Sequence, residues 1–476
     1  MNSIQQITEL FLQGINGISN SFANAKDFLG LEKEVHTFVQ NFTCQVLSLI
    51  LEANDQTLME QARSQGLKSC GLKKVSLQTP FGKLQFKRRL YRKESSQEYI
   101  FLLDKVMGLP KGRYSPLFCK MATEMATYLT YRKAAETLNL CLKSGISHMS
   151  IHQAVQEAGA EIEKQEDLKE KQMLKGEDLG GKRKVETLFI EGDGLWINLQ
   201  RQNKHKEELK LIIAHEGWKK ISGKRYGLKE KIACGGVLDG EKIWDNASMY
   251  LAEKYDLSDT QVIINGDGAS WVEAGTEWFA RSEYQLDRFH LKKWLTETLG
   301  DQPNVREEVV NGLAERNWER ICKAIDEALG RARSKAKRKR IKAFKTYLGN
   351  NWDALVDYRD RGLKTPLDAR GLGAIEGNID KILAQRFKGR GMSWSSRGAN
   401  HLAKLLVAKT NGNLDSIPTF EKNNSPIELK PTQRAVLKVQ RQGRGDYLQV
   451  HIPALDTANR PYIEAIRALT RCVKLA

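Results

Sequence analysis

The sequence predicts an α/β protein whose sheet domain is interrupted by helices and preceded by a mainly helical region with a β-hairpin. Three observations carry that prediction. Two apolar segments, Thr187 to Gly192 and Gln261 to Gly266, each run into Gly-Asp-Gly, as buried strands do where they end. Helical spacing of apolar residues dominates the first 67 residues, and a period of two replaces it between 73 and 92.

Length and composition set the frame. The chain has 476 residues, of which 41% are hydrophobic, ample for buried cores and room for two to four domains at about 100–200 residues each. Lys and Arg number 76 against 58 Asp and Glu, a net charge of +18. Such a balance calls for an anionic partner; nucleic acid is the commonest, although membrane surfaces attract the same charge. Seven scattered cysteines without a Cys-x-x-Cys pair exclude a zinc ribbon or a disulfide framework and suit a reducing cytosol. The start lacks a secretory pattern, and no apolar run reaches the ~18 residues a membrane span needs. The expectation is a soluble intracellular protein.

The elements follow in order. In residues 1–72, Ile7, Leu10, Phe11 and then Phe38, Phe42, Val46 and Ile50 recur at helical spacing. This region is either a candidate dimerisation element or a helix packed on its own domain. Residues 73–160 read as a DNA-binding region. Val75, Leu77, Leu84 and Phe86 alternate with polar residues around Thr79-Pro80-Phe81-Gly82, a hairpin pattern. Its second strand carries Lys87, Arg88 and Arg89, either a charged protective edge or a phosphate contact. Further on, a small-residue helix from Tyr131, with Arg132 and Lys133, is followed by a turn at Gly145 and a Ser-capped helix. That is a helix-turn-helix pattern, in which Ser150, His152 and Gln153 face the major groove. Residues 161–184 are charged and Gly-containing, and read as a linker.

Residues 185–299 and 371–406 read as a catalytic core. Strands at 187–194, 209–214 and 231–237, a helix over 243–255, a strand at 261–268 and a short one at 284–287 are in the order of a ribonuclease H-like fold. Such a sheet brings Asp193 and Asp267 side by side, and the flanking glycines would let a DNA strand approach. Adjacent carboxylates repel unless a cation lies between them, and hard oxygen ligands suit Mg²⁺ or Mn²⁺, with two ions as the expectation. Glu376 lies next to the helical stripe of Ile375, Ile379, Ile382 and Leu383 and is the expected third ligand; Arg386, Lys388 and Arg390 behind it suit a DNA backbone. The intervening 300–370 is a basic helical insertion, densest where Arg333, Lys337, Arg338 and Arg340 cluster. In residues 407–476, helices are expected at 434–441 and 462–469, without an assigned role.

Taken together, the basic hairpin, the Tyr131 to Glu136 segment, both Gly-Asp-Gly elements, Asp287-Arg288-Phe289-His290 and the Glu376 helix resemble bacterial insertion-sequence transposases of the ISLre type, relatives of Mutator-like DDE enzymes. The resemblance runs over nearly the whole chain. It implies a nucleoid-associated protein of the bacterial cytoplasm. Such a protein acts on double-stranded DNA, as a homodimer or higher homo-oligomer, with Asp193, Asp267 and Glu376 as a metal-binding catalytic triad. Mutator-like enzymes often carry Cys-x-x-His after the fifth strand; here it is Asp287-x-x-His290, so His290 matches and the cysteine does not. His290 either serves the reaction directly or is structural. Two other readings stay open: a ribonuclease H-fold nuclease or resolvase that cuts without joining, and an inactive DNA-binding regulator.

Overall fold

A computed structural model describes residues 3–417 apart from 25–26, 94–97, 111, 143, 202 and 390. Arg390 and the helices expected at 434–441 and 462–469 lie outside the described residues. The N-terminal region is two helices, α1 (Ser3–Asn24) and α2 (Phe28–Ser64). Asp27 separates them by capping α2, its carboxylate accepting the Gly30 amide at 2.8 Å. Phe11 and Phe42 meet across the pair, their ring centres 5.5 Å apart.

The hairpin follows as expected, only longer. Its strands are β1 (Leu67–Thr79) and β2 (Gly82–Lys93), and a short β3 (Tyr99–Ile100) joins the same sheet. The Thr79 hydroxyl accepts the Phe81 amide and donates to the Gly82 carbonyl, which closes the turn. Leu84, Phe86 and Tyr91 pack on Leu51, Leu58 and Ala62 of α2 and on Leu103 of α3 (Leu102–Met107).

Three helices come next: α4 (Pro116–Tyr128), α5 (Tyr131–Leu142) and α6 (His148–Leu174). Ser115 and Ser147 cap α4 and α6 by accepting the Phe118 and Ser150 amides. The central sheet is then laid down by β4 (Thr187–Asn198), β5 (Lys206–His215) and β8 (Ile232–Gly236), with a separate hairpin, β6 (Trp218–Ser222) and β7 (Arg225–Leu228), between the last two. Helix α7 (Gly240–Ala252), strand β9 (Gln261–Gly266), the short α8 (Ser270–Glu273) and β10 (Ser282–Leu286) complete it. The spatial order is β10-β9-β4-β5-β8. Strands β4, β5 and β8 run antiparallel in sequence, while β9 and β10 lie parallel to β4 and to each other.

Four helices, α9 (Arg288–Leu299), α10 (Pro303–Ala314), α11 (Trp318–Arg331) and α12 (Lys335–Asn350), surround a core of their own that includes Leu299, Val309, Ile325 and Phe344. The helical insertion thus starts at Arg288 instead of 300, because the Asp287 cap turns the chain straight into α9. The chain returns past Tyr358, whose amide donates to Gln285 of β10, into α13 (Ala374–Asn378), a π-helical turn over Ile379–Ala384, α14 (Gln385–Phe387) and α15 (Ser396–Thr410).

Two expected boundaries are overturned by packing. On one side the sheet is covered by Ile243, Trp244 and Ala247 of α7. Its other side meets α13 to α15, and that core also takes in Phe118, Leu138, Ile151 and Val155 of α4 to α6. The helices assigned to a separate DNA-binding region therefore share one core with the sheet. The expected linker 161–184 is helical as far as Leu174. Its polarity is misleading, since Glu166 is buried in an ion pair with Lys404 of α15 at 2.6 Å. Gly159 makes this approach feasible: a Cβ there would stand 2.3 Å from that of His401. Among the described residues, no helix is long and apolar enough to cross a membrane.

Candidate metal centre and nucleic-acid interface

The pairing of β4 with β9 matches Glu191 to Asn265, so two residues further on Asp193 and Asp267 come level. Asp193 lies inside β4, which continues to Asn198, and not at a strand end as Gly-Asp-Gly suggested. The glycines have a different role from the one expected. A Cβ at Gly266 would come within 2.5 Å of Val272, and one at Gly192 within 3.1 Å of the same side chain. The space is thus filled by α8 and is not left open for a DNA strand. Gly268, with φ of +93°, supplies the sharp turn after Asp267.

Three side chains converge. One ligand atom each from Asp193, His290 and Glu376 can be chosen so that all lie within 4.8 Å of one another. His290 Nε2 stands 2.5 Å from Oε1 of Glu376. The two carboxylates are hard oxygen donors of the kind that fit Mg²⁺ or Mn²⁺, and the imidazole nitrogen is a softer donor that stands against Glu376. Asp267 is not in that group: its Oδ1 accepts the Ala269 amide at 2.9 Å, and its carbonyl accepts the Tyr347 hydroxyl. Burial pushes the Asp193 carboxyl up to about 6. Glu376 and Asp267 add to the rise, while the Gly194 amide and His290 oppose it.

The residues expected to touch DNA divide into two sets. Arg88 is ion-paired with Asp104 at 2.7 Å and lies over the Phe101 ring, and Arg89 holds the buried Asp55, also at 2.7 Å. Arg386 is buried between the rings of Tyr131 and Trp394, its Nε donating to the Ala126 carbonyl. Ser150 is engaged by Tyr114 and Ser147, and His152 meets the Tyr131 ring edge-on. These five hold elements together. Lys87, Arg132, Lys133, Gln153, Arg333, Arg338, Arg340 and Lys388 are exposed, and Lys337 is half-buried beside Asp301. Sequence reasoning missed the β6–β7 hairpin, where Lys219, Lys220, Lys224 and Arg225 are all exposed; the run Trp218-Lys219-Lys220 up to Gly223 was its signal.

With this geometry established, likeness to known proteins adds a family. A UPF0236 protein in the vanSb 3′ region of Streptococcus gallolyticus is 27% identical over 456 residues, covering 92% of this chain and 95% of that protein. The UPF0236 protein TTE2489 of Caldanaerobacter subterraneus is 25% identical over 430 residues, 89% of this chain and 86% of its own length. A third, from the same organism, is 26% identical over 415 residues, 86% and 84% of the two chains, under a name that joins eleven TTE numbers. Residues 22–423 match the Uncharacterised protein family (UPF0236), and the chain belongs to that family.

Proposed function

We propose that this protein is a DDE-type DNA transposase, which binds the ends of an insertion sequence, cuts there and joins the freed 3′-hydroxyl to target DNA. The observation that carries the reading is the meeting of Asp193, His290 and Glu376 from three distant parts of the chain. The strand order and directions support a ribonuclease H-like core. The exposed cations of α12 and of the α5 start support a polyanionic partner. A relative whose name joins eleven numbers in one strain supports a gene held in many copies, which a self-moving sequence accumulates.

A divalent cation, once bound, would neutralise the scissile phosphate and make water or a hydroxyl a better nucleophile. Asp193 and Glu376 supply the negative charge that attracts it, and His290 orients Glu376. Asp267, one residue past β9 and outside that group, would complete the acidic triad only by turning from the Ala269 amide towards the cation. Positioning and charge compensation, not a covalent intermediate, supply most of the rate.

The test uses DNA containing the sequences that flank the gene, with Mg²⁺ or Mn²⁺. Asp193→Asn should abolish cleavage and joining and leave DNA affinity within about twofold. Cleavage by the wild type without joined product on a target plasmid would identify a nuclease instead. Binding without any cleavage would identify a regulator.

A further inference from the structure

Beneath the candidate metal centre lies a polar network that the proposed chemistry does not use. Glu191, two residues before Asp193 and on the same face of β4, is fully buried. Its Oε2 accepts the amides of Gly373 at 2.7 Å and Ile375 at 3.3 Å, at the start of the helix that carries Glu376. Asn265 Nδ2 donates to the same oxygen at 3.4 Å and to Oδ2 of the buried Asp287 at 2.8 Å. Oδ1 of Asp287 in turn accepts the amides of Phe289 and His290, which starts α9. The orientation of the Asn265 amide is fixed, since its oxygen could not face two carboxylates.

The other oxygen of Glu191 faces Nε2 of the buried His215 at 3.2 Å. Nδ1 of that ring accepts the Gly217 amide, so the ring proton sits on Nε2 and is donated to Glu191. Every partner of this carboxylate is therefore a donor, and both oxygens are needed as acceptors.

We propose that Glu191, Asn265 and Asp287 are positioning residues: they tie the starts of α13 and α9 to the sheet so that Glu376 and His290 meet over Asp193. This rests on reading that cluster as a cation site. Residues that orient metal ligands from behind commonly change metal affinity 10- to 100-fold when altered.

Glu191→Gln is the test, because either orientation of the new amide sets an NH₂ group against a donor. On the full chain, Mn²⁺ affinity would be measured by calorimetry and backbone hydrogen exchange over 371–379 and 287–291 by mass spectrometry. The inference requires faster exchange in both segments, unchanged exchange in α10 to α12, and Mn²⁺ binding weakened by about 10- to 100-fold. Unchanged exchange, or Mn²⁺ affinity within twofold of wild type, overturns it. Should the wild type bind no Mn²⁺, the cation reading fails first and takes this inference with it, a result distinct from a variant that binds normally. If Glu191→Gln does not fold, Asn265→Ala removes the bridge between Glu191 and Asp287 and leaves the contacts of Glu191 with Gly373, Ile375 and His215 in place. It should speed exchange over 287–291 and weaken Mn²⁺ about tenfold; wild-type behaviour in both would equally overturn the inference.

Discussion

A carboxyl raised to about 6 from an ordinary 3.8 prefers its protonated form in the fold. The metal-free protein therefore carries no penalty from Asp193 below about pH 4, and the full penalty above about pH 6. Removing the charge should stabilise: Asp193→Asn should raise the Tm of the metal-free protein at pH 8 by about 2–5 °C, and by less at pH 5. Mn²⁺ should raise the wild-type Tm at pH 8 and leave the variant's unmoved; differential scanning fluorimetry reads both. The arginines call for a different test, because charge alone does not say what a cation does. Arg89→Ala strands Asp55 in the interior and should cost about 3 kcal/mol in urea unfolding. Arg132→Ala with Lys133→Ala should leave unfolding within about 0.5 kcal/mol and weaken DNA binding, with a salt dependence shallower by about two charges.

At the scale of elements, the glycines beside the acids make a sharp prediction. Gly266→Ala drives a methyl into Val272 and should destabilise by about 1–3 kcal/mol, while Val272→Ala in the same chain should recover part of it. A loss in the double variant equal to the sum of the two single losses would show that the two positions do not share that space. The same glycines explain what the sequence disclosed and what it concealed. Alternation around Thr79 to Gly82 gave the hairpin, and apolar runs gave the sheet strands in their right order, because both are local patterns. Gly-Asp-Gly reads locally as a strand end, yet β4 continues because Asp193 to Asn198 stay paired with β5 from Leu211 to Lys206. Residues 161–174 read as solvated because Glu166 is charged; its partner Lys404 lies far along the chain, where no local pattern reveals it. Asp193 and Glu376 were legible as acids in unusual company, and His290 through the resemblance to enzymes that carry Cys-x-x-His after the fifth strand. Glu191 was not, since only the fold brings Gly373 and Ile375 to it.

The whole molecule follows from α15, which is buried along most of its length between the sheet and α6. A fragment of residues 185–417 would bare that apolar surface, so it should be insoluble or bind a hydrophobic dye, whereas residues 112–417, which keep α4 to α6 and drop the N-terminal core whole, should stay folded, as circular dichroism and dye fluorescence would report. The 27 residues of α6 also span about 40 Å, packed along their flank and capped by Ser147 after the turn that ends α5. Under the proposed function, a duplex gripped at the start of α6 would be held on a ruler instead of a tether, its spacing from Asp193 and Glu376 set in fixed steps along the groove. Nicks mapped by primer extension should then fall at a single nucleotide, and one alanine inserted midway in α6 should swing the grip by about 100° and scatter or silence them.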